Sequence, residues 1–200
     1  MKHYTDTFAH DYLPELSTQP GYSFLDVPQF QRPEMLNCVD RLLDQHIREG
    51  RGKQPCLHTF ETTWTYQDLY EKSNQIAQVL VHDLKLQSGN RVLIRSANSP
   101  MMVACWFAIL KAGGVVVATM PLLRSKELTT IIDCAEISHA FCAADLEEEM
   151  HLVKSDNLQS VCYFGNGQLE ALMAKYEPVF DNFHTHSESV ALIGFTSGTT

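Results

Sequence analysis

The sequence predicts an α/β fold built on a doubly wound, mainly parallel sheet with flanking helices. From residue 91 onward, short apolar runs alternate with longer segments of helical periodicity. The run at residues 115–119 shows no polar alternation, as expected for a strand whose sheet is covered on both faces. This β–α–β–α rhythm implies parallel strands that are joined by right-handed crossovers.

The composition is that of an ordinary soluble chain. Of its 200 residues, 44% are apolar and 20% are charged, enough for one domain or for part of a larger one. A net charge of −9, with Lys and Arg scattered, argues against a nucleic-acid or anionic-membrane surface. No charged and then apolar leader opens the chain, so we expect a cytoplasmic protein.

Two parts are predicted along the chain. Residues 1–36 contain four prolines and little periodicity, and we expect them to form an extended N-terminal arm that wraps the body. Residues 37–200 are expected to form an incomplete α/β domain that is cut within its last loop. Its first helix is capped by Asn37 and closed by Gly50. A hairpin of strands 56–60 and 64–66 follows, and Thr65-x-x-Asp68 is typical of a helix capping box.

The alternating part begins after Gly89-Asn90. Residues 101–123 are apolar enough to suggest a membrane span, but Lys111, Gly113-Gly114 and Pro121 interrupt them, which favours a buried helix, a turn and a buried strand. The predicted strands are residues 92–94, 115–119, 140–143, 161–164 and a buried one at 190–195, and the predicted helices begin at Pro100, Ser125, Asp145 and Leu169.

The last residues carry the main functional signal. The apolar run at 190–195 leads directly into a hydroxyl-rich turn around one glycine. At the end of a strand, such a turn offers backbone N–H groups and side-chain hydroxyls to an anion. It is neither a Walker loop nor a GxGxxG turn, and taken alone it is a weak signal. The candidate nucleotide-binding residues are Thr196, Ser197, Gly198, Thr199 and Thr200.

Other groups are better explained without a ligand. His184-x-His186 lies in a polar loop, Glu147-Glu148-Glu149 suggests a solvated helix face, and Arg124 a surface arginine rather than an anion contact. Lys111 with Gly113-Gly114 suggests a helix end, and Trp64 and Tyr66 suggest core aromatics. The six cysteines form no CxxC pair and are interpreted as buried thiols in a reducing compartment, so no metal site is predicted.

Three segments in this order resemble the adenylate-forming (AMP-binding) superfamily, which includes acyl-CoA synthetases. They are residues 64–69 (W-T-Y-Q-D-L), 110–117 (L-K-A-G-G-V-V-V) and 195–200 (F-T-S-G-T-T). The resemblance covers the chain from about Asn37 onward and implies the N-terminal part of the large domain of such an enzyme. Residues 111–124 are similar to the benzoate and 2-aminobenzoate CoA ligase version of the second motif, which implies an aromatic acid.

The resemblance implies a two-step reaction of an acid–thiol ligase. A carboxylate attacks the α-phosphate of Mg-ATP, which gives an acyl-adenylate and pyrophosphate. The thiol of coenzyme A then displaces AMP. Residues 196–200 would hold the leaving β- and γ-phosphates, because nucleotidyl transfer depends mainly on positioning and charge stabilisation. The resemblance therefore implies ATP, Mg²⁺, coenzyme A and a small carboxylate as ligands, and no nucleic acid.

The chain departs from the family pattern at its end. The glycine and lysine that continue the family loop are absent, as are the later nucleotide, metal and hinge segments, so no catalytic residue is assigned and this chain alone is expected to be inactive. Two alternatives stay open. One is a non-catalytic α/β module that binds a nucleotide or a protein, and the other is an adenylation domain that loads a carrier protein.

Overall fold

The computed structural model describes residues 4–21, 27–28 and 31–196. Its four-stranded parallel sheet contains β3 (Arg91–Arg95), β4 (Val115–Thr119), β5 (Ile137–Ala143) and β6 (Ser160–Phe164), in the order β4-β3-β5-β6. A separate antiparallel hairpin pairs β1 (Pro55–His58) with β2 (Thr63–Thr65). The predicted α/β fold with a parallel sheet and flanking helices is thereby confirmed.

The helices begin where the sequence provides caps. Thr65 Oγ1 accepts the N–H of Asp68 at 3.2 Å, and the Asp68 carboxylate accepts the N–H of Thr65 at 2.8 Å, which completes the predicted capping box. Ser99 Oγ accepts the N–H of Met102 at 3.1 Å, next to Pro100. The α-helices are α1 (Phe8–Asp11), α2 (Gln45–Arg48), α3 (Tyr66–Gln78), α4 (Pro100–Lys111), α5 (Ser125–Cys134), α6 (Glu147–His151) and α7 (Gln168–Met173).

Shorter turns complete the helical part of the structure. A π-helical turn at Asp40–Asp44 leads into α2, and another at Val79–Asp83 extends α3. Short 3₁₀ turns lie at Leu16–Thr18 and Ala144–Leu146. The apolar stretch at residues 101–123 forms most of α4, a turn and β4, as predicted, with Gly113 in the turn at φ +79°. In the described part of the chain, every helix is too short or too polar to span a bilayer.

The sheet is covered on both faces, as its apolar strands predict. Alternate strand residues such as Val92 and Ile94 pack with α3, α4 and α7. Their neighbours, such as Leu93 and Val117, pack with α5 and α6 on the opposite face. All residues of β3 and β5 are buried. Burial on both faces places the functional edges of the sheet at the strand ends rather than on a face.

Strand β5 begins earlier than the predicted residue 140, because two polar residues are satisfied inside the sheet. The Nε2–H of His139 donates to the carbonyl oxygen of Leu84 at 2.8 Å. The hydroxyl of Ser138 lies 2.7 Å from Nδ1 of the same ring. Burial lowers the pKa of His139, and the bond to Leu84 offsets part of that effect. The neutral imidazole is therefore the form that the fold accommodates.

We expect the stability of this chain to fall in mild acid because of His139. An unfolded histidine, with a pKa of about 6.5, takes up its proton at a higher pH than the folded one. Protonation therefore favours the unfolded state, and the free energy of unfolding decreases below about pH 6.5. Urea unfolding midpoints at about pH 7.5 and about pH 5.5 measure the effect. The change should shrink in His139→Gln and persist in His184→Gln, which alters an exposed histidine. An equal pH dependence in both variants would contradict the assignment.

The N-terminal residues are attached at the amino end of β3. Arg91 is 3% exposed and donates to the carbonyl oxygens of Ala135 at 2.8 Å and Glu136 at 2.7 Å. Its Nη1 also donates to the carboxylate of Asp6. Gly89 has φ +91°, and a Cβ there would lie 1.9 Å from the Asp6 carbonyl oxygen. These contacts fix residues near Asp6, whereas an arm spanning residues 1–36 stays a prediction.

Removal of the Asp6 charge should destabilise the fold at neutral pH. Burial raises the pKa of Asp6, but hydrogen bonds from Arg91, the Phe8 N–H and Asn90 lower it on balance. The carboxylate therefore contributes stability above the ordinary aspartate pKa of about 3.9, and this contribution is lost as the pH falls through the lowered value.

For Asp6→Asn we expect a loss of about 1–3 kcal/mol in unfolding free energy at pH 7. The difference from the unsubstituted chain should shrink as the pH falls below about 4. Denaturant titrations at both pH values measure it, and Asp11→Asn, at an exposed position, is the matched control. If Asp6→Asn and Asp11→Asn lose the same unfolding free energy at pH 7, the ion pair between Asp6 and Arg91 does not contribute to stability.

Candidate functional site

The candidate site lies at the carboxyl edge of the parallel sheet. Strands β3, β4, β5 and β6 end together there, and each is followed by a loop. The chain first crosses from β3 to β4 on one side and then continues at β5 on the other side of β3. In open α/β sheets, ligands bind beyond the carboxyl ends of strands where the strand order reverses in this way.

An acidic cavity occupies one half of this edge. Its volume is about 470 Å³, and it lies between the loops after β3, β5 and β6. The carboxylates of Asp145 and Glu170 line it, together with Ser96 and Ser99. Glu170 already accepts the N–H groups of Gly165 at 2.9 Å and Gly167 at 3.1 Å, where it caps α7. These negative groups make this half unfavourable for a triphosphate.

The other half of the edge receives the apolar segment at residues 190–195. The N–H of Val116 donates to the carbonyl oxygen of Ala191 at 3.0 Å, and the N–H of Ile193 donates to the carbonyl oxygen of Val116 at 2.9 Å. These bonds form a parallel bridge between Leu192 and Val116, so the segment runs toward the carboxyl edge beside β4. The segment is therefore parallel to β4, as predicted, and it runs toward the carboxyl ends of the strands.

The prediction of a buried strand at 190–195 is wrong. The segment makes one isolated bridge instead of a full ladder, and Leu192 and Phe195 are 49% and 41% exposed. Its position explains the difference. The segment lies at the outer edge of the sheet next to β4, and among the described residues no further strand pairs with its outer side.

Of the five candidate nucleotide-binding residues, the structure describes one. Thr196 is exposed and follows the segment beside β4. Because that segment is parallel to β4, Thr196 lies toward the carboxyl edge. Ser197, Gly198, Thr199 and Thr200 lie outside the described residues.

A buried arginine lies at this edge that the sequence pattern does not predict. Arg95 ends β3, is 2% exposed, and donates to the carbonyl oxygens of Pro121 at 3.0 Å, Leu146 at 3.4 Å and Met120 at 3.5 Å. No carboxylate of the described residues lies within ion-pair distance of it. Its guanidinium thus joins the loops that follow β4 and β5, at the point where the strand order reverses.

The acidic helix α6 is more than the solvated face that its sequence suggested. Glu149 accepts the N–H of Ser125 at 2.7 Å and Nη1 of Arg124 at 2.8 Å, so it caps the start of α5. The hydrogen bond from Arg124 and that from the Ser125 N–H lower the pKa of Glu149. Arg124 itself is 76% exposed, in agreement with its interpretation as a surface arginine.

The structure also places the other groups that the sequence analysis singled out. His184 and His186 are exposed, and the described residues contain no group of three or more side chains suited to a metal ion. Trp64 and Tyr66 pack against the core. All six cysteines are free thiols, but only Cys105, Cys142 and Cys162 are buried, because Cys38 and Cys56 are half-buried and Cys134 is exposed. Burial raises the pKa of Cys142 to about 12 and that of Cys162 to about 11. Those two thiols are therefore protonated near neutral pH.

Comparison with known proteins identifies the chain at the family level. The family model described as "AMP-binding enzyme" matches residues 43–200. The chain belongs to the AMP-binding enzyme family. The resemblance that its three motifs indicated is confirmed.

Curated proteins match this AMP-binding family chain over most of its length. Long-chain fatty acid transport protein 6 of Mus musculus is 28% identical over 181 residues, which cover 84% of this chain and 29% of that protein. Crotonobetaine/carnitine–CoA ligase of Salmonella heidelberg (strain SL476) is 27% identical over 154 residues, covering 68% of this chain and 29% of that protein. The chain thus spans 29% of the length of these curated relatives.

Solved structures share the fold of the AMP-binding family chain. ATP-bound MatB from Rhodopseudomonas palustris superposes with a TM-score of 0.73 at 25% identity, covering 82% of this chain and 33% of that one. The anthranilate CoA ligase AuaEII in complex with anthranoyl-AMP gives a TM-score of 0.76 at 20% identity, covering 84% and 32%. At that identity, the likeness to AuaEII shows the fold alone.

In this AMP-binding family chain, Arg95→Lys should loosen the carboxyl edge. A lysine presents one compact ammonium group and cannot reproduce the planar fork that reaches three carbonyl oxygens. We expect a loss of about 1.5–3 kcal/mol in unfolding free energy, measured by denaturant titration. Arg124→Lys, at an exposed position, should change it by less than about 0.5 kcal/mol. Equal effects of the two substitutions would contradict a role for the fork.

Proposed function

We propose that this chain forms the N-terminal part of an ATP-dependent acid–thiol ligase. The enzyme would activate a carboxylate, in our proposal an aromatic one, as an acyl-adenylate and transfer it to coenzyme A. The observation that carries the proposal is the parallel segment beside β4, which runs toward the carboxyl edge of the sheet as far as Thr196. Membership of the AMP-binding enzyme family supports it.

In this proposal, the phosphate loop holds the part of ATP that leaves as pyrophosphate. The hydroxyls of Thr196, Ser197, Thr199 and Thr200 and the N–H groups around Gly198 would donate to the β- and γ-phosphate oxygens. Fixed donors aimed at developing negative charge lower the barrier without reorganisation of solvent. The acidic cavity between the loops after β3, β5 and β6 favours placement of the phosphates on the β4 side of the edge.

The residues described here do not suit a protein-held Mg²⁺ site. They include no group of three or more His, Cys, Asp or Glu side chains that could hold a metal ion. Mg²⁺ in nucleotide sites is commonly held by substrate phosphates and one or two carboxylates. We therefore assign no Mg²⁺ ligand in this chain and derive no step through the ion.

Coenzyme A as acceptor and an aromatic acid as substrate are the finer parts of the proposal. The sequence of residues 111–124 is similar to that of the corresponding motif in benzoate and 2-aminobenzoate CoA ligases. The chain also shares its fold with a structure named as an anthranilate CoA ligase in complex with anthranoyl-AMP. Relatives named for fatty acids and for crotonobetaine or carnitine match the same region. A substrate test must therefore compare acids of different classes.

The deciding experiment uses the complete product of the coding frame, whatever its length. Pyrophosphate release and thioester formation are measured with benzoate, 2-aminobenzoate, octanoate and crotonate, with ATP and coenzyme A. We expect turnover with the aromatic acids and no sustained thioester from residues 1–200 alone. Turnover with octanoate alone would contradict the aromatic preference, and no turnover of any acid would contradict the ligase.

A loop variant tests the assigned phosphate contacts. In the complete product, Thr199→Val removes a hydroxyl donor and should lower kcat/KM for ATP by about tenfold to a hundredfold. Thr130→Val is the matched control, because Thr130 lies on the exposed face of α5. A similar kcat/KM in both variants would remove Thr199 from the site.

A further inference from the structure

One segment links the helical layer of the structure to the candidate site. Residues 174–189, which we call the strap, run from the end of α7 to the segment beside β4. Amide side chains of α3 bind its first part at 2.5–3.0 Å. Asn74 donates to the carbonyl oxygen of Pro178, Gln75 to that of Tyr176, and Gln78 to those of Glu177 and Val179.

The final part of the strap is attached to residues that precede the first helix of the body. The hydroxyl of Thr185 donates to the carbonyl oxygen of Leu36 at 2.6 Å, and the N–H of Leu36 donates to that of Thr185 at 2.9 Å. His186 forms an antiparallel bridge with Met35. The strap is therefore held at both ends before it reaches β4.

A buried ionic cluster binds the middle of the strap. Lys111, at the end of α4, is fully buried, and its Nζ lies 2.6 Å from Oδ1 of Asp44. The amide of Asn182 contacts both partners. Its Nδ2 donates to Oδ2 of Asp44 at 2.6 Å, and its Oδ1 accepts from Nζ of Lys111 at 3.2 Å. Asn182 thus matches its donor to the carboxylate and its acceptor to the ammonium group.

The next strap residue docks on the same helix end. The N–H of Phe183 donates to the carbonyl oxygen of Lys111 at 2.7 Å. Its ring covers Gly113, where a Cβ would lie 2.6 Å from a ring carbon. Gly113 forms the turn that leads from α4 into β4. The strap and β4 are therefore both placed relative to the end of α4.

We propose that Asp44, Lys111 and Asn182 form a positioning cluster that sets the register of residues 190–196 beside β4. The cluster fixes the strap at the end of α4. The strap thereby places the carbonyl oxygen of Ala191 at the N–H of Val116, and the N–H of Ile193 at the carbonyl oxygen of Val116. Only the consequence for ATP rests on the proposed function, because the register itself is a property of this chain. The three side chains act through the loop and touch no substrate.

Hydrogen exchange of single amides tests the cluster in this chain. Asn182→Ala removes both amide contacts and leaves the Lys111–Asp44 pair in place. We expect the amide of Ile193 to exchange on the order of tenfold faster, because loss of hydrogen bonds to charged groups frees the strap. The amide of Phe141, inside β5, should keep its rate. Asp181→Ala is the matched control, since Asp181 is the exposed neighbour on the strap.

A double substitution that exchanges the carboxylate and the amide of positions 44 and 182 distinguishes a positioning role from a general loss of stability. Asp44→Asn combined with Asn182→Asp keeps one carboxylate and one amide beside Lys111, so it should restore slow exchange at Ile193 that Asp44→Asn alone loses. Failure of this rescue, or equal acceleration at Ile193 and Phe141, would overturn the proposal. If Asn182→Ala does not fold, Asn182→Ser, which keeps one hydroxyl, provides the same comparison.

Kinetics in the complete product distinguish this proposal from the ligase proposal. Asn182→Ala should raise KM for ATP by about tenfold with little change in kcat, and the paired substitution should reverse it. An unchanged KM, with accelerated exchange at Ile193, would overturn the link from the cluster to ATP. An unsubstituted product without turnover would overturn the ligase, while the exchange rates still decide whether the cluster sets the register.

Discussion

Two buried guanidinium groups at the ends of β3 hold the opposite edges of the sheet. Arg91 binds backbone carbonyls and Asp6 at the amino edge, and Arg95 binds the loops after β4 and β5 at the carboxyl edge. Both side chains share a face of β3 with Leu93, since they lie at alternate positions. A shift of β3 by one residue would place both guanidinium groups on the opposite face, in the apolar layer beneath α3 and α4. The register of β3 is therefore strongly determined.

The sequence predicts much of this fold because local signals and burial agree. The capping box at Thr65, the Ser99-Pro100 helix start and the apolar run of β4 each correspond to a structural element. The predicted strand, residues 92–94, leaves out Arg91 and Arg95, because burial of a charge depends on carbonyl partners far along the chain. For the same reason, the polar start of β5 at Ser138 and His139 was missed.

The site is less predictable than the fold. Sequence order alone indicated that the hydroxyl-rich turn follows a strand beside the sheet, and the parallel bridge at Leu192 agrees with that. It could not indicate how fully the strand would be paired, since this depends on neighbours across its outer edge. Nor could it indicate that Glu149 caps α5, because that contact joins residues on different helices.

The position of Asn182 has a consequence for the order in which the molecule is assembled. A growing chain exposes Asp44 first, Lys111 later and Asn182 last, and contacts between distant residues carry a large loop-closure cost. The pair between Asp44 and Lys111 is therefore available to the nascent chain before the strap exists. We expect the strap to close over a helical layer that is already formed, which makes the segment beside β4 among the last parts to reach its native place.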